Sequence, residues 1–510
     1  MSSIPQELRN WLFTLMEIMA ALFIISAGFT VLTVVVLYIF DWAQSKHAIR
    51  RNYPLVGRFR YFFEHFGVFF RQFFFAMDRE EMPFNRAQRS WAYRAAKNLS
   101  NTVPFGSSHV LSEPGTVLFL NSAFAIQEEE KQQPSDIIFG PDCPQPYKTN
   151  SIFNISGMSY GAISKPALQA LSRGAAKAGC WLNTGEGGLS PFHLEGNADI
   201  VFQIGTAKYG VRKEHGLIDV NKLKAVAAHN QVKMFELKLS QGAKPGKGGI
   251  LPAVKVSAEI AAIRGIPEGH ASISPNRHPE INSVSDLLDM IELIRSTTGK
   301  PVGFKCAIGS AFWLDDLCLE ILNRGRHTAP DFITIDSADG GTGAAPLPLI
   351  DSVGLPLKES LPLVIDKLVE YNLRDRIKVI CSGKLITPAP VAWAFCMGAD
   401  CVTSARGFMF ALGCVQALQC DKNTCPAGIT THNKRLQRGL VAKDKAERVM
   451  HYQKNMVEEV SMIAHSCGVV EPRKLTRNHA SLVSANGPSI ILSEIYPEKT
   501  PKSKIPMVNQ

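Results

Sequence analysis

Three cysteines stand within the run "GCVQALQCDKNTCPAG", at Cys414, Cys420 and Cys425. They are too many for one disulfide and one short of a zinc site built only from cysteine. His432, in the following "ITTHNK", is near enough in sequence to serve as a fourth ligand. A metal site, a redox thiol set and unliganded core cysteines are the open readings. The remaining cysteines are scattered singly, and an odd total of 11 without regular spacing argues against a disulfide framework and for a reducing compartment.

A second chemical set runs through the middle of the chain. Glycine-rich and polar stretches read "SGMSYGAIS", "NTGEGG", "KLSQGAKPGKGG", "DSADGGTGAAP", "SGKL" and "SARG". Glycine lets backbone N–H groups approach an anion, so several such loops on one face suit a phosphate-bearing cofactor, whereas a single one more often serves a tight turn. Lys238, Lys244, Arg264, Lys305 and Lys384 accompany these loops, with Glu186 and Gln241. Brought together, they would form a cationic mouth suited to a flavin ring, its phosphate and a small dicarboxylate.

Such convergence requires a fold that gathers loops at one end. From about residue 150 to 405 the chain alternates short apolar runs with helical patterns. The candidate strands are "SIFNISG", "WLNTG", "KMFELKL", "HASIS", "PVGFKC", "DFITID", "KVICSG" and "DCVTSA". The alternation predicts an α/β (β/α)8 barrel, the TIM barrel, whose strand C-termini carry the site; a doubly wound open sheet fits the same pattern. Two intervening segments, "SKPALQALSRGAAKAG" and "SVSDLLDMIELIRSTTG", each begin with an N-cap serine and end with a glycine. No strand, glycine fingerprint and acidic residue occur in the order that a dinucleotide domain requires.

The N-terminal part has a different texture. Residues 18–40 carry no charged side chain, and as a helix they would rise about 34 Å, enough to cross a hydrocarbon core. The run is too long for a signal peptide and ends at Tyr38, Phe40 and Trp42, an interfacial aromatic set. Lys46, Arg50 and Arg51 follow it and only Arg9 precedes it, so the expectation is a single-pass cell-membrane protein with its main domain in the cytoplasm. Much of the +10 formal charge lies in residues 46–99, which favours a membrane surface over nucleic acid. The Phe-rich segment 60–78 contains Glu64, His65 and Arg71, so an amphipathic helix, interfacial or packed on the barrel, is expected rather than a second span. The resulting division is an anchor at 1–45, a helical juxtamembrane connector at 46–145, a barrel at 146–440 with the cysteine loop 414–425, and a C-terminal helix and tail at 441–510.

The strings "SGMSYGAISKPALQAL", "NTGEGG", "LKLSQGAKPGKGG", "SADGGTGAAP" and "CVQALQCDKNTCPAG", in this order, resemble the FMN-binding synthase domain of glutamate synthase. The last has that family's iron–sulfur spacing, Cys-x5-Cys-x4-Cys, and the likeness covers about residues 150–435. The resemblance implies FMN and a 3Fe–4S cluster on Cys414, Cys420 and Cys425, each thiolate serving one iron. It implies that 2-oxoglutarate and ammonia form 2-iminoglutarate, which reduced flavin converts to glutamate. Gly157, Met158 and Ser159 would lie along the flavin, and Lys305 would reach its polar edge. Gly340, Gly341, Thr342, Gly343, Gly383, Lys384, Ala405 and Arg406 would surround ring and phosphate. Glu186, Lys238, Gln241, Lys244 and Arg264 would serve 2-oxoglutarate.

Two departures qualify the likeness. The family's full enzyme begins with a glutaminase domain whose first cysteine is the nucleophile, whereas this chain begins "MSSIPQELRNW" and lacks room for the family's large C-terminal β-helix. The expectation is no glutaminase activity of its own, with ammonia free or supplied by a partner and electrons from a ferredoxin or a separate reductase. Lys247 also stands where the family usually has an acidic residue, which leaves open another amine. The alternatives are an N-methylglutamate synthase-like transferase subunit and a membrane-tethered flavin and iron–sulfur electron-transfer subunit.

Overall fold

The computed structural model describes residues 5–502, and its internal contacts divide the chain into Met1–Ala87 and Gln88–Gln510. In the first unit the long apolar run forms helix α1 (Gln6–Ala43), longer than the uncharged stretch alone. Its best 18-residue window has a mean hydropathy of 2.5 and no buried residue. Near the end of α1, Asp41 is buried. It accepts Arg58 Nε at 2.7 Å, Arg58 Nη2 at 2.8 Å and the Leu55 N–H at 3.1 Å. This two-pronged ion pair ties α1 to helix α2 (Val56–Phe70), which continues into a wider turn at Arg71–Phe75. Phe59, Phe62, Phe66, Phe70, Phe74 and Phe75 are exposed along α2 and that turn.

The second unit is a closed barrel of eight parallel strands: β1 (Phe153–Ile155), β2 (Leu182–Asn183), β3 (Ile200–Ile204), β4 (Val232–Lys238), β5 (Val302–Cys306), β6 (Phe332–Asp336), β7 (Lys378–Ser382) and β8 (Cys401–Ser404). Each pairs with the next in sequence, and β8 closes on β1 with Val402 opposite Phe153. Seven of the eight expected runs become barrel strands. The exception is "HASIS": Ser272–Ile273 pairs antiparallel with Ile250–Leu251 in a separate ribbon, and β3 takes its place in the barrel. The physical difference is burial. All five residues of β3 are buried, as a barrel strand packed on both faces demands, whereas Ala271 and Ile273 are exposed and alternate with buried Ser272 and Ser274.

Helix α3 (Lys165–Ala178) starts where Ser164 Oγ accepts the Ala167 N–H at 3.3 Å and stops at Gly179, whose φ is +72°. Helix α4 (Ala258–Arg264) follows the ribbon strand, and α5 (Arg406–Leu412) follows β8. Helix α6 (Ala442–Ser466) returns from the C-terminal side and packs along α3. A Cβ on Gly174 would meet Val449 Cβ at 2.5 Å, so the two helices approach at a distance that only glycine permits. At the opposite end from the loops, the hairpin Ile137–Phe139 and Tyr147–Thr149 covers the barrel floor. Phe139 meets Trp181 and Phe332 edge to face, at 5.8 and 5.7 Å between centroids.

Candidate active site

Parallel closure puts every strand C-terminus at one rim, and the sequence-derived residues fall there from separate elements. Gly157, Met158 and Ser159 follow β1, and Glu186 sits in the tight turn Gly185–Gly187 after β2. Lys238 ends β4, with Gln241 and Lys244 in the loop beyond it; Arg264 ends α4; Lys305 lies within β5. Gly340 to Gly343 follow β6, Gly383 and Lys384 follow β7, and Ala405 and Arg406 follow β8.

A cleft of about 560 Å³ opens among them. Ser159, Glu186, Lys244, Lys255, Arg264, Thr342, Gly343 and Cys420 are among the residues that line it. Lys238 Nζ donates to Glu186 Oε1 at 2.9 Å and also to Gln241 Oε1. Burial pushes the Glu186 carboxyl up, but Lys238, Lys244 and Arg264 outweigh it and hold the group below its ordinary range. Lys244 is pushed down to about 8, first by burial and then by neighbouring Lys238, with Glu186 opposing. Arg264 is buried, with Nη1 on Ser272 Oγ at 3.0 Å and Nη2 on Ser159 Oγ and the Tyr160 carbonyl, each at 3.3 Å. Its Nε has no partner among the described residues. Buried cations with an unfilled donor beside a cleft suit an anion bearing carboxylates.

Beneath the rim lies a small cavity whose polar lining is Ser156, Asn183, Glu236, Lys305, Thr334 and Thr403, over apolar Trp181, Val201, Phe332 and Ile380. Lys305 Nζ lies 3.3 Å from Asp336 Oδ2. Burial pulls the Lys305 amine down, but Asp336, Glu236 and Glu186 outweigh it and raise it above the ordinary lysine range. Glu236 accepts from Asn183 Nδ2 at 2.8 Å, Gln203 Nε2 at 2.7 Å and Thr334 Oγ1 at 2.6 Å. Thr403 Oγ1 is buried without a partner among the described residues. The donor set fits a flavin: a lysine held by Asp336 inside the barrel and glycine-rich loops after β6 and β7. Gly383, at φ +145°, leaves room where a Cβ would overlap Ser337 Oγ.

The cysteine loop follows α5. Cys425 is buried; burial pushes its thiol up, but hydrogen bonds from Thr430, Ile429 and Ala427 outweigh that and favour thiolate. The Gln416 N–H points at Cys414 Sγ at 3.5 Å, and Arg406 Nη1 lies 3.7 Å from Cys420 Sγ while Nη2 donates to the Thr342 carbonyl. Arg406 therefore touches both the cysteine loop and the glycine loop. His432 contacts the Gly161 carbonyl through Nε2 at 2.8 Å, an interaction with the loop after β1. Among the described residues no group of three or more His, Cys, Asp or Glu side chains is found that could hold a metal ion. The three thiols, backbone N–H donors and flanking cations are the ligand chemistry that an iron–sulfur cluster uses.

Residues 113–470 match the family described as the conserved region in glutamate synthase. The chain is also 38% identical, over 90% of its length and 94% of the other, to the glutamate synthase large subunit-like protein YerD of Bacillus subtilis (strain 168). The chain belongs to the glutamate synthase family. Against the archaeal glutamate synthase [NADPH] of Methanocaldococcus jannaschii the identity is 34%, over 66% of this chain and 62% of that one. A structure of mandelate oxidase with (S)-2-phenylpropionate covers 78% of this chain and 99% of that one, at 16% identity and a TM-score of 0.43.

Family membership makes the chain a glutamate synthase-like flavoprotein oxidoreductase. Within this glutamate synthase-family barrel, Glu236, Asn183 and Lys255 line the two cavities, and Gln203 and Asp336 contact Glu236 and Lys305; sequence reading passed over all five. For Glu236 a signal was present: an acidic residue inside "KMFELKL", a run otherwise fit for a fully buried strand, demands partners. Lys255 has no such signal, because its acceptor, the Cys420 carbonyl at 2.6 Å, lies 165 residues away.

Proposed function

We propose that this protein makes glutamate by reductive amination of 2-oxoglutarate, with ammonia supplied free or by a partner and electrons from a ferredoxin or a separate reductase. The observation that carries the reading is the cleft in which Glu186, Lys244 and Arg264 meet at the rim, with Lys238 bonded to Glu186. Ammonia adds to the 2-oxoglutarate carbonyl and water leaves, giving 2-iminoglutarate; two electrons and two protons then give glutamate. FMN, when bound, would supply the hydride, and a 3Fe–4S cluster held by Cys414, Cys420 and Cys425 would supply single electrons.

The chain's residues do the rest. Arg264 and Lys244 clamp carboxylates, and Gln241 with Lys238 fixes the position of Glu186. Glu186, anionic under three cations, accepts a proton from the entering amine and returns it to the departing water. Lys305, held by Asp336 and Glu236, would sit at the polar edge of FMN, with Gly157, Met158 and Ser159 along it. Gly340, Gly341, Thr342, Gly343, Gly383, Lys384, Ala405 and Arg406 would enclose its ring and phosphate.

Helix α1 is read as a single membrane span, and the basic residues that follow it assign the C-terminal side of the span, and with it the barrel, to the cytoplasm. Exposed phenylalanines on α2 are consistent with contact at the bilayer surface.

Purified protein, incubated anaerobically with 2-oxoglutarate, ammonium and a chemical reductant, should reoxidise its flavin and release glutamate. Failure of both would overturn the proposal.

A further inference from the structure

Lys255 is only 2% exposed, and its Nζ donates to the Cys420 carbonyl at 2.6 Å. Among the described residues no Asp or Glu forms an ion pair with it, and the acceptor it does have belongs to the cysteine loop. A buried ammonium is costly, and one neutral carbonyl does not offset its lost hydration. The charge that would offset it must come from the cysteine loop. Arg406 approaches the same Cys420 through its guanidinium, so two cations flank one cysteine.

We propose that Lys255 is the buried counter-cation of the iron–sulfur cluster, a positioning residue that raises the cluster's reduction potential. The inference rests on the three-cysteine reading above. Three thiolates, three ferric ions and four sulfides sum to a net charge of −2. Accepting one electron from an external one-electron donor, itself oxidised by one, takes the cluster to −3. A fixed cation in a low-dielectric setting favours the more negative state, so reduction becomes easier. Lys255 also lines the cleft that Glu186, Lys244 and Arg264 line, so one residue belongs to that cleft and bonds to the cysteine loop. The ribbon strand Ile250–Leu251 leads to Lys255, and the same segment continues into α4, which ends at Arg264. One stretch of chain thus carries a cation to each.

The test is a dithionite titration of anaerobically purified full-length protein, followed by the electron paramagnetic resonance signal of the oxidised cluster. Iron and sulfide analysis of the wild type comes first; a wild type without cluster iron would remove the cysteine reading itself. Given iron, Lys255→Met and Lys255→Gln should titrate at a more negative potential and Lys255→Arg close to wild type. Loss of iron from both neutral variants but not from Lys255→Arg would equally support the pairing. An unchanged potential in an iron-replete neutral variant would overturn it, as would an effect of Lys255→Arg as large as that of Lys255→Met.

Discussion

Arg264 combines a charge, two hydroxyl acceptors, a carbonyl and the ring of Tyr209, whose centroid lies 5.1 Å from Cζ. A lysine there would keep the charge and lose the fork, so Arg264→Lys should raise KM for 2-oxoglutarate about 10- to 100-fold. Flavin content should be unchanged, and an unaltered KM would remove Arg264 from the carboxylate clamp. Lys244 gives a pH prediction. Its amine is pushed down to about 8, so it is cationic below that pH and neutral above. As pH rises through about 8 the clamp loses a charge, and KM for 2-oxoglutarate should climb. Lys244→Arg should flatten that limb of a pH profile; a profile identical to wild type would assign the limb to another group. Glu236 is the acceptor for Asn183, Gln203 and Thr334, and all three donors would be stranded in Glu236→Ala. Denaturant unfolding should show a loss of about 3 kcal/mol, whereas a cost below about 1 kcal/mol would mean that the donors find other partners.

The packing of α6 on α3 depends on Gly174, since any Cβ there would collide with Val449. Gly174→Val should therefore cost about 1–3 kcal/mol or more, measured as a lower midpoint of thermal unfolding. An unchanged midpoint would mean that α6 can shift without penalty. Among the strands, "PVGFKC", "DFITID", "KVICSG" and "DCVTSA" were legible because each apolar run is bounded by glycine or a charge. In sequence "HASIS" reads as a barrel strand and "ADIVFQIG" is passed over, and burial on both faces, which marks the second as the barrel strand, shows only in the fold. The rim residues survive the exchange because "KMFELKL" still ends at the same rim, as β4 rather than as the third strand. The loop residues at the site therefore held their places even though one strand assignment did not.

For the whole molecule, the membrane reading makes its own prediction. Full-length protein should stay in the membrane pellet through an alkaline carbonate wash, since α1 presents a continuous apolar surface with no buried residue in its best window. Release into the supernatant would exclude a spanning helix. The apolar length of residues 18–40, the alternation of strand and helix, and the chemistry of the rim loops were determined by sequence alone. These are local properties, set by periodicity, composition and turn residues within a few positions of one another. The tertiary structure decided which eight runs close the barrel, that Arg406 reaches from the glycine loop to Cys420, and that His432 bonds to Gly161. It also decided that Lys255 is buried beside the cysteines and that Glu236 lies under Lys305. Each of these depends on charges and acceptors brought together across tens to hundreds of residues by parallel closure, and the cost of burying an unpaired charge appears only once that closure has removed the water.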